Sequence, residues 1–188
     1  MRTKSRAIRY VLALVFFSLS TASATLTPSL TFEQLTDASE LIVTGRVGNS
    51  WAAWDANHKF IWTHYSLSVS SALKGSPAAT VEFAEVGGSV DGYSMVVAGS
   101  VRYATGDNML VFLARMPNGY LRTAGWSQGK YAVDASGKLH AQSFPGAETI
   151  DLHGAPAGTS LRVLDGMNLT ELRQRVSARL RAAAGRNQ

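Results

Sequence analysis

The residues with the most direct chemical promise are Gly125-Trp126-Ser127-Gln128-Gly129, a G-x-S-x-G pentapeptide. In α/β-hydrolases this spacing places the serine on a sharp strand-to-helix turn beside an oxyanion hole, where a general base activates it. Acidic and imidazole partners follow in the chain order such enzymes use: Asp134 or Asp151, then His140 or His153. The residues after Gly129 are Lys-Tyr-Ala-Val-Asp, which is strand-like and soon turns at Ser136-Gly137, whereas a nucleophile elbow requires a helix. No alternating strand–helix pattern supplies a parallel sheet either. The pentapeptide therefore reads as a β-bulge with glycines at tight positions. A small serine hydrolase using Ser127 is the alternative, and a helix directly after Gly129 would favour it.

Other chemistry is scattered. His58 and His64 are six residues apart, which in an extended strand separates them by roughly 20 Å along one face. Metal ligands must lie about 2 Å from a common point, so this pair alone cannot chelate. His140 and His153 have no acidic partner at a recognised ligand spacing, and the chain has no cysteine, so neither a metal site nor a cofactor is expected. Glu82 and Glu85 fall on opposite faces of a strand and do not make the facing carboxylates of a glycosidase. Gly87-Gly88 lacks the following Lys-Ser/Thr and helix of a phosphate loop.

Aromatic residues are the more suggestive group. Trp51, Trp54, Phe60, Trp62 and Tyr65 surround a single turn. An indole can stack on a sugar or peptide surface while its N–H stays paired, so Trp51, Trp54 and Trp62 are the candidate ligand-binding residues. The competing explanation is cross-strand aromatic packing that stabilises a long hairpin.

The elements that must position these residues are mainly strands. Thr31-Phe-Glu-Gln34 reads as a capping box opening a helix that runs to about Ser39. Leu41 to Val47 is a β-branched run with Gly45 marking a bulge or bend. Asp55 to His58 is a polar turn. Tyr65, Leu67 and Val69 then alternate with Ser66, Ser68 and Ser70, and Thr80 to Val86 forms another strand. Met109 to Ala114 is apolar on both parities, as befits a strand covered on both faces. Pro117-Asn-Gly119 is a hairpin turn, followed by strand candidates at Tyr120 to Trp126, Lys130 to Val133 and Lys138 to Gln142. Residues 144–168 read as a Gly/Ala/Pro-rich linker. Asn168 is a helix cap, and Leu169, Leu172, Val176 and Leu180 form one apolar stripe on a terminal helix over residues 169–188.

The chain ends bear on location and charge. Arg2, Lys4, Arg6 and Arg9 precede an apolar run from Val11 to Phe17 and an Ala22-Ser23-Ala24 site, the pattern of a secretory signal peptide over residues 1–24 cleaved after Ala24. The run is about half the length of a spanning helix, and no membrane anchor is expected after cleavage. The formal charge of +5 invites a nucleic-acid reading. Without residues 1–24 the chain holds 14 basic and 13 acidic residues, and five of the basics lie at Arg173, Arg175, Arg179, Arg181 and Arg186. A body with that balance has no footprint for phosphate backbones, so nucleic acid is not an expected partner.

Ala38-Ser-Glu-Leu-Ile-Val-Thr-Gly-Arg-Val47, the strand ending Leu73-Lys-Gly75, and Gly106 followed by Leu110-Val-Phe-Leu113 resemble the OB-fold barrel of netrin-type modules, the group that includes tissue inhibitors of metalloproteinases. They are also similar to small exported bacterial domains of unknown function. The resemblance covers residues 39–143. The inhibitors rely on an N-terminal cysteine and disulfides that this chain lacks, so protease inhibition is not implied for any residue. The expectation is thus an all-β, OB-like small barrel over residues 25–143 with a short N-terminal helix and a C-terminal amphipathic helix. It is expected to be periplasmic or secreted, monomeric, and a binding module for a protein or glycan of the cell envelope.

Overall fold

The computed structural model describes residues 25–142, 147–150 and 164–186. The expected signal peptide and most of the expected linker lie outside the described residues. In chain order the elements are β1 (Thr25–Pro28), α1 (Phe32–Ala38), β2 (Leu41–Trp54), β3 (Ile61–Lys74), β4 (Thr80–Val86), β5 (Gly88–Val90), β6 (Tyr93–Met95), β7 (Asn108–Arg115), β8 (Leu121–Thr123), a 3₁₀ turn (Trp126–Gly129), β9 (Lys130–Val133), β10 (Leu139–Ala141), β11 (Ala147–Ile150) and α2 (Leu169–Ala184).

Strand parity explains the layering. Leu41, Val43 and Val47 of β2 and Met109, Val111 and Leu113 of β7 point inward, with Tyr65 and Leu67 of β3 and Val81 and Phe83 of β4, into one core. Ile42, Leu110 and Phe112, the opposite parity of the same central strands, enter a second core with Phe32 and Leu35 of α1 and Leu172 and Val176 of α2. The doubly apolar run of β7 is therefore covered on both sides, as its sequence predicts. Gly45 marks an irregularity in the β2–β3 register, and a Cβ there would meet the Ser68 carbonyl oxygen at 2.3 Å.

The helices are fastened as their caps foretell. Thr31 and Gln34 form a reciprocal capping box at α1, and the Asn168 side chain accepts the Glu171 N–H at 2.8 Å. Three arginines of α2 fix it to its neighbours. Arg173 donates to the Ser71 hydroxyl at 2.7 Å, Arg175 lies over the Phe32 ring, and Arg179 grips the Asp37 carboxylate with both Nε and Nη2. No helix of the described residues is long and apolar enough to cross a membrane.

The main sheet has the order β10-β9-β7-β2-β3-β4, all antiparallel, with β8 pairing β7 on the edge opposite β2. This mostly-β architecture with one short N-terminal and one C-terminal helix matches the sequence expectation, while its ladder stays open. The Tyr120 to Trp126 strand candidate shortens to the three residues of β8, because Gly125 (φ 62°) and Trp126 (φ 58°) turn the chain into the 3₁₀ segment. β8 and β9 thus lie end to end along β7. No ladder joins β4 to β8; the Glu85 carboxylate bridges that seam by accepting the Thr123 N–H at 2.8 Å.

Candidate functional site

The β2–β3 hairpin carries the aromatic group, and its turn forms as the sequence suggests. The Asp55 carboxylate accepts the N–H groups of Lys59 (2.7 Å) and Phe60 (3.2 Å), and these bonds hold its pKa below the ordinary value. Residues 50–54 pair in regular register with 61–65, so Trp51 and Trp54, three apart, face opposite ways. The three candidate tryptophans consequently do not form one surface. Trp51 stacks on its cross-strand partner His64 with ring centroids 5.2 Å apart and planes 9° from parallel. Trp54 lies on the other face, stacked on His58 and edge-on to Tyr93 of the small β5–β6 hairpin. That hairpin can approach because Gly88 (φ 139°) has no Cβ; one would lie 2.5 Å from the Thr63 hydroxyl. Trp62 shares the face of Trp51 but is buried beneath Tyr120 and Arg122.

Exposure singles out this end of the molecule. Among the described residues the exposed large hydrophobics are Trp51 (44%), Phe60 (40%), Tyr93 (65%) and Val96 (82%). All four lie on the hairpin, on β6, or on the residue directly after Met95, the end of β6.

Beside Trp51, the open seam of the sheet widens into a cleft of about 390 Å³. One wall is β4, the other the turn from Arg115 to Leu121. His64 lines the cleft, with Nδ1 2.9 Å from the Glu82 carboxylate and its ring edge-on to Tyr120. At the far end Arg115 binds Glu40 in a two-point pair (2.8 and 2.6 Å), which lowers the Glu40 pKa and raises that of Arg115. Sequence reasoning placed neither Tyr120 nor the Glu40–Arg115 pair here, since both require the fold to bring distant segments together.

A second polar group lies inside the sheet. Glu85 is buried; its carboxylate accepts from Thr123 and from Arg122 Nε (3.3 Å) and Nη2 (3.2 Å). Burial raises its pKa, against the opposing pull of Arg122 and Thr123. Lys130 donates to the Arg102 carbonyl at 2.5 Å and lies over the Tyr103 ring; burial lowers its pKa to about 8. The Tyr103 hydroxyl bonds that of Thr123 at 2.6 Å, and burial, then Glu85, pushes its pKa well up. These groups are enclosed and serve the seam.

Ser127 is only 3% exposed, and Gly129 leads into β9, so the pentapeptide forms a buried 3₁₀ turn and no nucleophile elbow. Its glycines are required by space: a Cβ on Gly125 would meet Leu30 at 2.8 Å, and one on Gly129 the Ala124 carbonyl at 2.4 Å. His140 pairs with Asp134 at 2.8 Å in an exposed turn. His153 and Asp151 lie outside the described residues. Among the described residues no three His, Asp or Glu side chains gather as a metal site would need. No family model matches the chain, and no curated protein or solved structure is significantly similar to it.

Proposed function

We propose that this chain is an exported, monomeric, non-enzymatic binding module whose ligand, a protein or a glycan, docks on the aromatic end of the β2–β3 hairpin. The observation that carries this reading is the concentration at that end of all four exposed large hydrophobics among the described residues. Exposed large apolar side chains concentrated at one end of a fold mark an interaction site. Trp51 has the properties of an anchor: His64 backs one side of a rigid indole that remains open to solvent. Trp62, buried under Arg122 and Tyr120, supports that face from beneath.

The test is a screen of the protein against a glycan array and a displayed peptide library, followed by titration of each hit. Trp51→Ala should weaken binding by about tenfold or more while leaving the thermal midpoint nearly unchanged. Ligands whose affinity is indifferent to Trp51→Ala, Trp54→Ala and Tyr93→Ala would remove the hairpin from consideration.

A further inference from the structure

We infer that the cleft beside β4 takes an extended peptide, which adds as a strand to the free edge at Thr80 and Glu82. This rests on reading the chain as a binding module, but it turns on different residues from the aromatic end.

The phase of the β3–β4 ladder shows which backbone groups are available. The bonds Val69 N–H to Ala79 C=O (2.8 Å) and Gly87 N–H to Ile61 C=O (2.7 Å) flank the ladder on the same register as Leu67↔Val81, Tyr65↔Phe83 and Thr63↔Glu85. Hydrogen-bonded pairs alternate along an antiparallel ladder. Val81, Phe83 and Glu85 therefore turn their N–H and C=O groups toward β3, and Thr80, Glu82, Ala84 and Val86 turn theirs away. Val86 confirms the phase, since its outward C=O accepts the Ser100 hydroxyl. Ala84 is buried at the cleft floor, and Glu85 occupies the seam beyond it. Thr80 and Glu82 are exposed, and no described group bonds their backbone.

The other edge of the sheet is treated differently. Along β10 the chain's own residues cover the ladder: Leu139 N–H bonds the Met167 carbonyl (2.9 Å), Gly166 N–H bonds the Leu139 carbonyl (2.8 Å), and Ala141 N–H bonds Asp165 (2.9 Å). One edge is thus closed internally, and the other opens into a cleft. Unpaired edge groups two residues apart repeat at about 6.8 Å, the spacing an incoming polypeptide strand presents.

The walls specify the peptide's side chains. Alternate residues of an added strand project to opposite sides of the sheet. On one side they would meet Leu41, Val81, Phe83 and Leu121, members of the inner core that also line the cleft. On the other they would meet Glu82, His64 and Tyr120. With Glu40 balanced by Arg115, Glu82 leaves that side acidic, so the occupant is an extended segment alternating apolar with basic side chains.

The experiment selects short peptides from a displayed random library on the protein and maps them by amide hydrogen exchange. The expected result is enrichment of the alternating apolar/basic pattern, with exchange at the Thr80 and Glu82 amides slowed by about tenfold or more. N-methylation of alternate peptide amides should abolish binding, and Glu82→Lys should weaken basic peptides by about tenfold or more. Peptides that bind without protecting those amides, or a library with no enriched member, would overturn the inference. If glycans then bind in a Trp51-dependent way, only the strand-addition site falls; if neither ligand class binds, the module reading falls with it.

Discussion

Removing Glu85 should open the seam that the backbone leaves unpaired. In Glu85→Ala, Arg122 stays largely buried with no carboxylate and the Thr123 N–H loses its acceptor. Breaking a buried pair in this way costs about 3–5 kcal/mol, much of a domain's total stability. Glu85→Gln keeps an oxygen for Thr123 and removes only the ionisable proton, so it should cost less, about 1–3 kcal/mol. The pH dependence has a definite sign. Burial raises the folded-state pKa of Glu85 above its unfolded value of about 4.3. Its contribution is therefore fully present below that unfolded value and is lost as pH rises through the folded one. Urea unfolding, followed by tryptophan fluorescence at successive pH values above the unfolded pKa of about 4.3, should show the wild-type advantage over Glu85→Gln shrinking with rising pH. The exposed carboxylates with lowered pKa, such as Asp37 and Glu40, act in the opposite sense but cancel in that difference. An alanine variant losing less than about 1 kcal/mol, or an advantage that grows with pH, would refute the role assigned to Glu85.

Lys130→Met addresses the neighbouring buried amine. Its folded pKa of about 8 lies below the ordinary 10.5, so wild type should gain stability relative to the variant as pH rises from about 8 to 10.5, by up to about 3 kcal/mol in denaturant titrations. Leu172→Ala removes a fully buried side chain of the second core and should cost about 2–5 kcal/mol, read as a lowered urea midpoint with α2 releasing early in hydrogen exchange.

Local physics made much of this architecture legible in advance. The parity of Tyr65, Leu67 and Val69, the doubly apolar β7, the capping box at Thr31 and the Asn168 cap all rest on neighbouring residues, and each forms as read. The opposition of Trp51 and Trp54 was also implicit, because three positions along a strand reverse the side chain's direction. Grouping them by nearness in sequence concealed this. The cleft was not readable, since it joins His64, Glu82, Arg115 and Tyr120 through strand pairings whose partners no local pattern names. Nor does any pattern around Glu85 mark it as buried; its acidic type argues for exposure, and only the gap between β4 and β8 explains it.

The clasp between α1 and α2 also sets an order in time. Asp37 and Arg179 stand 142 positions apart, and the second core closes only when both helices are present. At 5–20 residues per second, a ribosome needs roughly 7–30 s to travel that distance. Throughout that interval Ile42, Leu110 and Phe112, as they emerge, have no α2 to cover them. Folding therefore cannot be completed from the N-terminus alone, and the second core stays open until the last helix is made.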